Sequence, residues 1–286
     1  MKKPQYRRYT RSKAGNFFFF LFLIAAGLFS VLPMIYSIVT SFKPLDELMI
    51  FPPKFFVNRP TLMNYTSIPR LLSSLQVPVS RYVFNSVFLA VVTTTMQVIV
   101  ASMAAYAISK LKLKGTAVLF IIIQFALMYN ATTLAIPQYI IFTKVRIINT
   151  YLVYILPYLQ SSMGVFLMKQ FVDDGVPDVL LEAARMDGAG PFRIYWKIVM
   201  PCIKPAWLTL TLFSFNDTWS FGSGATIFDE QLKTLPAIMS QISSGGIARM
   251  GNAMAAAMLL AIPPIALYLI TQSNVIETMS SAGIKE

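Results

Sequence analysis

Residues 180–205 read LLEAARMDGAGPFRIYWKIVMPCIKP, and this stretch decides the fold because it is charged and glycine-punctuated in an otherwise apolar chain. Of the 286 residues, 56% are hydrophobic and 13% are charged, and the mean hydropathy is +0.62. This composition lies outside the usual range of soluble domains. We therefore predict a membrane protein in which the stretch separates two apolar spans.

Apolar windows predict an all-α fold with six transmembrane helices. Five windows contain no Lys, Arg, Asp or Glu, and each supplies the roughly 20 apolar residues that cross a bilayer. They are 14–42, 82–109, 115–143, 147–168 and 250–276. A shorter sixth window, 206–221, carries Asp217. The predicted organisation is a basic segment at 1–13, a six-span domain at 14–276 and a tail at 277–286.

Basic residues predict the orientation of this domain. With six spans and a cytoplasmic start, fifteen of the 24 Lys and Arg residues fall on the inner side. Since Lys and Arg accumulate in cytoplasmic loops, both termini are expected inside, together with the loop at 110–114. Residues 43–81 and 222–250 are expected outside, and the opening stretch lies in the cytoplasm.

The residue inventory excludes several kinds of site. The chain has one cysteine, Cys202, and no histidine, which excludes an internal disulfide, histidine zinc sites and Ser-His-Asp triads. It has no G-x-x-x-x-G-K-[ST] loop for nucleotide phosphates. A secondary transporter remains an alternative, but such carriers usually need ionisable groups inside their spans, and only Asp217 lies near one. Nothing marks the convergent groups of an intramembrane enzyme.

Residues 173–205 predict a helical hairpin. Pro177 suits the first position of a helix over 177–187, and Gly188 suits its C-terminal cap. Pro191 opens a second helix that Pro201 ends. One apolar face is expected on this second helix, at the spacing i, i+3, i+4, i+7. Its residues are Phe192, Tyr195, Trp196 and Val199.

Three interpretations of the hairpin compete. A DNA-reading helix-turn-helix needs a positive surface, whereas 173–205 has a formal charge of −1, which argues against nucleic acid. An interfacial hairpin would pair Glu182 with Arg185 at i+3. A docking surface for a cytosolic partner explains why mixed charges and a rigid turn occur together.

Residues 182–201, EAARMDGAGPFRIYWKIVMP, resemble the EAA motif of ABC-importer permeases, which is E-A-A, three residues, G, nine residues and I-x-L-P. Met200 replaces the usual Leu, a change that conserves volume. Three further blocks, 51–65, 82–115 and 136–158, resemble the carbohydrate subfamily, although its members often carry glycine where this chain has Arg146. The matching residues, with the aspartate beside the glycine, are Glu182, Ala183, Ala184, Asp187, Gly188, Ile198 and Pro201.

The resemblance implies a subunit of an ATP-driven carbohydrate importer in a bacterial cell membrane, surrounded by lipid. The hairpin would be the coupling helix, seated in a cleft of the ATPase. The partners would be a second permease, two ATPase copies and an external sugar-binding protein. The chain would bind no cofactor, because ATP and Mg²⁺ would be bound by the ATPase. A permease for a solute other than sugar is the alternative.

A sugar path needs hydrogen-bonding and aromatic groups inside the bundle. Such groups in spans also bond neighbouring helices, and a Trp at a span end is also an interfacial anchor. The loop 222–250 is long for a helix connection and is expected either to reach the binding protein or to be a solvated connector. The candidate path residues are Gln124, Tyr129, Asn130, Thr132, Thr133, Asn216, Asp217 and Trp219.

Overall fold

The computed structural model describes residues 13–73, 77–111, 113–129, 131–222, 224 and 226–283. Side chains are described except at 13, 14, 73, 131, 132, 247 and 273–283. The predicted basic segment before Lys13, Asn130, the Thr132 side chain and the last three residues of the predicted tail therefore lie outside the described residues.

The described residues form helices and no strand, as the apolar windows predict. The first nine helices are α1 (Lys13–Ser41), α2 (Leu45–Leu48), α3 (Met63–Thr66), α4 (Ile68–Ser73), α5 (Val79–Lys110), α6 (Thr116–Ala126), α7 (Ala131–Val145), α8 (Leu152–Leu159) and α9 (Ser162–Gly175). The others are α10 (Asp178–Met186), α11 (Pro191–Ile194), a π-helical turn (Tyr195–Val199), α12 (Met200–Cys202), α13 (Lys204–Trp219), α14 (Leu235–Ser243) and α15 (Met250–Gly283). Two 3₁₀ turns lie at Glu230–Leu232 and Ile247–Arg249.

Three described helices are long and apolar enough to cross a membrane. They are α1 from Gly15, α5, and α15 as far as Gln272. A fourth span is possible by length and composition if the bent pair Pro191–Cys202 and Lys204–Trp219 counts as one. The three clear spans agree with the first, second and last predicted windows.

The windows 115–143 and 147–168 are not continuous helices. The first is divided into α6 and α7, and the second into α8 and α9. The second break has a local cause: Gln160 has ψ 64°, and Ser161 is extended. The Ser161 hydroxyl accepts the Gly164 N–H at 2.9 Å and so caps α9.

The chain divides into two compact units. The first comprises Met1–Ile68 and Gly245–Met258. Its described part is held by a polar cluster in which Asn64 Nδ2 donates to the carbonyls of Ser41 and Lys43, both at 2.8 Å. Asn252 Nδ2 donates in turn to the Asn64 carbonyl at 2.8 Å.

The second unit comprises Pro69–Ser244 and Leu259–Glu286 and contains the predicted hairpin. Its main apolar core lies where α5, α9 and α13 pack together. Fully buried side chains come from each helix, including Ala105 of α5, Met168 of α9 and Leu210 of α13. Residues of the hairpin belong to the same core, so the hairpin is built onto the ends of these helices.

Candidate coupling site

The first helix of the hairpin is α10, one residue shorter at each end than predicted. Pro177 has ψ 135° and is the N-cap rather than the first helical residue, while Asp187 is the C-cap. Asp178 lies in the first turn, where a carboxylate is favoured by the helix dipole. One side chain of α10, Leu181, is buried in the core, and most of the others are exposed.

Gly188 ends α10 with the backbone that the sequence predicts. Its φ is +77°, and its N–H donates to the Arg185 carbonyl at 3.0 Å. The Ala189 N–H donates to the Ala184 carbonyl at 2.9 Å. These two bonds form a Schellman motif, which explains why the glycine follows the second alanine of E-A-A by four residues.

The second half of the hairpin differs from its prediction. Pro191 is the first residue of α11, as expected, but Pro201 lies inside α12 and does not end the helix. A proline lacks the N–H that would bond the carbonyl four residues before it. The π-helical turn Tyr195–Val199 ends two residues before Pro201, where the regular ladder is interrupted. The chain instead breaks at Ile203, where the helix axis bends by 84°.

The π turn also changes which side chains are buried. The predicted apolar face is wrong at Phe192 and Trp196, whose exposed fractions are 68% and 51%. Tyr195 and Val199 of that face are buried, together with Ile194. Because a π turn has i→i+5 hydrogen bonds, a spacing derived from 3.6 residues per turn does not hold through it.

At least three polar contacts between described residues join the hairpin to α5. The Lys110 ammonium lies 2.9 Å from the Asp178 carboxylate, and Arg185 Nη2 donates to the Lys110 carbonyl at 3.3 Å. The Tyr195 hydroxyl lies 2.7 Å from Ser102 Oγ inside the core. The hairpin is therefore attached to α5 by contacts of Asp178 and Arg185 at its surface and by the Tyr195 hydroxyl in the core.

The outer surface of α10 is open. Glu182, Ala183 and Asp187 are exposed, and Met186 is 89% exposed. Among the described residues Glu182 has no hydrogen bond or ion pair, so the Glu182–Arg185 pair of the interfacial interpretation is not formed. The remaining motif residues divide into the half-buried Ala184 and Ile198 and the exposed Gly188 and Pro201.

The structure places the candidate path residues in different surroundings. Gln124, Thr133 and Asp217 are exposed, but none of them lines a described cavity. Trp219 is buried, and its indole N–H donates to the Leu260 carbonyl at 2.9 Å. That N–H is thus engaged between helices. Asn216 lines a cavity of about 290 Å³ that also contains Tyr268.

Tyr129 lines a larger cavity, of about 520 Å³, at the helix breaks. The polar side chains beside it are Gln160, Ser161 and Ser162, none of which was predicted as a path residue. Their signal in the sequence was a run of three polar residues in the middle of an apolar window. Among the described residues no group of three His, Cys, Asp or Glu side chains could hold a metal ion.

Known proteins resemble this chain along nearly its full length, although no protein-family model matches it. The sulfoquinovosyl glycerol transport system permease protein of Agrobacterium fabrum is 30% identical over 267 residues, which cover 92% of this chain and 90% of that protein. The arabinooligosaccharides transport system permease protein of Bacillus subtilis is 24% identical, covering 93% and 94%.

A solved structure shows the same fold. It is the crystal structure of a bacterial ABC transporter involved in the import of the acidic polysaccharide alginate. One of its chains superposes with a TM-score of 0.75 at 21% identity, covering 92% of this chain and 98% of that one. The full-length relationship to the Agrobacterium permease and the helical, multi-pass architecture lead to one conclusion: the chain belongs to the family of ABC-transporter permease subunits, which are transport components and not enzymes.

Proposed function

We propose that the chain is the permease subunit of a carbohydrate importer, with an oligosaccharide or glycoside as its substrate. The names of the two relatives support this class, since one concerns a sugar glycoside and the other arabinooligosaccharides. A solute other than sugar is the second candidate, favoured by a 33% identical relative from Yersinia enterocolitica named for sn-glycerol-3-phosphate transport.

The proposed topology has six spans with both termini in the cytoplasm. The excess of Lys and Arg on the inner side supports it. In this topology α6 with α7, and α8 with α9, form two broken spans. Non-helical backbone at membrane depth is tolerated where it lines a cavity, and the cavity at Tyr129 and Gln160 lies at these breaks. We infer that these two residues face the sugar during alternating access.

Coupling to a cytosolic ATPase is assigned to the hairpin. The observation that carries this is Glu182, an exposed carboxylate without a partner among the described residues, on a hairpin fixed to α5. Charge-assisted hydrogen bonds are roughly twice as strong as neutral ones. A basic side chain of the ATPase would therefore form a strong, directional hydrogen bond to the Glu182 carboxylate. ATP and Mg²⁺ belong to the ATPase, because the chain has no phosphate-binding loop of its own.

The loop after α13 is assigned to the external binding protein. Asn149 Oδ1 accepts the N–H groups of Phe228 and Asp229 at 3.0 and 2.8 Å, and Asn85 Nδ2 donates to the Gln231 and Lys233 carbonyls at 2.8 and 2.9 Å. The loop thus presents Phe228, which is 65% exposed, from a fixed base. Aromatic residues, including Phe, are enriched at the cores of protein interfaces.

Purification of the assembly from its native membrane tests the proposal. Mass spectrometry is expected to find the chain with a second permease and with two ATPase copies for each pair of permeases. A bound oligosaccharide is expected in the same fraction. Recovery of the chain alone, with uptake driven by a proton gradient and unaffected by deletion of the ATPase, would instead support a secondary transporter.

A further inference from the structure

The hydroxyl of Tyr195 forms the one described side-chain hydrogen bond between the π turn and α5. Tyr195 is 2% exposed and Ser102 is fully buried. Ser102 Oγ donates to the Val98 carbonyl at 2.6 Å, so its single proton is engaged. Tyr195 is consequently the donor in the 2.7 Å bond, and Ser102 Oγ is the acceptor.

The surroundings of this bond are apolar. Val98, Ala105, Val199 and Leu210 belong to the same buried cluster. A hydrogen bond in such a low-dielectric interior is stronger than one exposed to water, and neither group has water as an alternative partner. Of the other two described contacts between the hairpin and α5, the Arg185 bond is exposed, and the ion pair joins a Lys110 side chain that is 9% exposed to an Asp178 side chain that is 70% exposed. Because water reaches the Asp178 carboxylate, this ion pair is screened, unlike the bond inside the core.

Tyr195 lies where the hairpin joins the membrane-spanning helices, so its bond to Ser102 affects how the hairpin moves relative to α5. Tyr195 is the first residue of the π turn, and the chain bends by 84° at Ile203. A π turn next to a bend offers a place where the hairpin could flex without moving the spans. Tyr195 bridges this place and bonds to α5 two turns before the Lys110 end of that helix.

We propose that Tyr195 is a positioning residue that locks the hairpin to α5 through Ser102, so that the two move as one body. This inference rests on the proposed coupling function. A force applied to α10 by the ATPase is then transmitted to α5 in the core of the second unit instead of being absorbed in the π turn. Tyr195 touches neither substrate nor nucleotide in this account.

The chain provides a matched control. Tyr106 lies one helical turn after Ser102, is 4% exposed, and has its ring centroid 6.1 Å from that of Tyr195. Its buried hydroxyl has no hydrogen-bond partner among the described residues. Tyr106→Phe therefore removes a hydroxyl from the same core without breaking a bond, whereas Tyr195→Phe breaks the bond to Ser102.

The test measures the distance between the hairpin and α5 in the complex with its ATPase. Spin labels are placed at Arg193→Cys and Val91→Cys, which are exposed positions, in a Cys202→Ser background. Pulsed electron paramagnetic resonance compares the nucleotide-free complex with the vanadate-trapped complex. The amount of ATPase that co-purifies with each labelled variant is measured separately. If the labelled chain that retains Tyr195 and Ser102 failed to bind the ATPase, that result would contradict the proposed coupling function and not the role of Tyr195.

With Tyr195 present we expect one narrow distance distribution that is the same in both states. Tyr195→Phe and Ser102→Ala should each raise the displaced hairpin population by about five-fold, which corresponds to about 1 kcal/mol for one hydrogen bond. The double variant should show no further increase, and Tyr106→Phe should match the unchanged chain. The proposal is overturned if Tyr195→Phe behaves like Tyr106→Phe, or if the distance already changes with Tyr195 present.

Discussion

The Ala189 N–H lies 2.9 Å from the Ala184 carbonyl, and this bond closes the hairpin around Gly188. The bond requires the left-handed backbone of Gly188, whose φ is +77°. Among the described residues other than its two chain neighbours, no heavy atom lies within 4 Å of a Cβ built at Gly188, so the glycine is needed for its conformation and not for space. The left-handed conformation of Gly188 therefore helps to turn the chain between α10 and α11.

Gly188→Val is expected to destabilise the turn by about 1–2 kcal/mol, the cost of a side chain in the left-handed region, and more for a β-branched residue. The variant should still insert into the membrane, but less ATPase should co-purify with it. Gly190→Ala is the matched control, because Gly190 has φ −70° and an unobstructed Cβ position. Equal ATPase recovery from both variants would show that the turn does not aim the docking surface.

Asn149→Ala should loosen the loop that follows α13. The substitution removes the acceptor of the Phe228 and Asp229 N–H groups, and it places alanine at φ +61°. Hydrogen exchange at these two amides is expected to accelerate about five-fold, for roughly 1 kcal/mol of lost bonding. Asn149→Asp keeps an acceptor oxygen and should exchange at nearly the original rate. Unchanged exchange in Asn149→Ala would mean that Asn149 does not anchor the loop.

We expect the hydrogen bond between Gln97 and Ser214 to contribute measurably to the free energy of unfolding of the helix bundle. Ser214 Oγ donates to Gln97 Oε1 at 2.5 Å between α13 and α5, and both residues are buried. Gln97→Ala should lower the free energy of unfolding in detergent by about 1–2 kcal/mol, since interhelical bonds in membranes average about 0.6 kcal/mol and the substitution also leaves a cavity. Gln124→Ala, at an exposed position on α6, is the control. A thermal midpoint that is the same for both variants would contradict this assignment.

Cysteine labelling tests the proposed orientation. In a Cys202→Ser background, Ser244→Cys should react with an impermeant maleimide in cells whose outer surface is accessible, and Met186→Cys should not. Both positions are exposed in the chain, so burial does not explain a difference. In inverted membrane vesicles the two positions should exchange behaviour. The reverse pattern in cells would invert the six-span topology.

Some features of the hairpin could be predicted from the sequence and others could not. Gly188 could be predicted as a cap because a Schellman motif depends on local backbone conformation and on one residue type. The buried face of the second helix could not, because the π turn at Tyr195–Val199 shifts the spacing on which the prediction depends. The π turn is apparent only in the folded structure, in which the consecutive residues Ile194 and Tyr195 are both buried in the core.

The interior of the bundle was predicted less completely. Hydropathy detects apolar windows but not helix breaks inside them, so the division at Gln160 and Ser161 was missed although Ser161 is a good capping residue. Trp219 was selected as an aromatic hydrogen-bonding group of the sugar path, and the sequence does not reveal the bond from its indole N–H to the Leu260 carbonyl. Arg146, which follows the end of α7, adopts φ +60°, a left-handed conformation that glycine adopts at lower cost than arginine.

The central claim is that Glu182 docks the ATPase, and the amount of ATPase recovered with the Glu182→Ala chain tests it most directly. Removing the carboxylate would leave a basic group of the ATPase partly buried and unpaired, which costs roughly 2–5 kcal/mol at an interface. We expect Glu182→Ala to insert normally but to recover little ATPase, with Glu182→Gln intermediate because it retains shape and some hydrogen bonding. Recovery of ATPase and uptake at the level of the unchanged chain in Glu182→Ala would contradict the account.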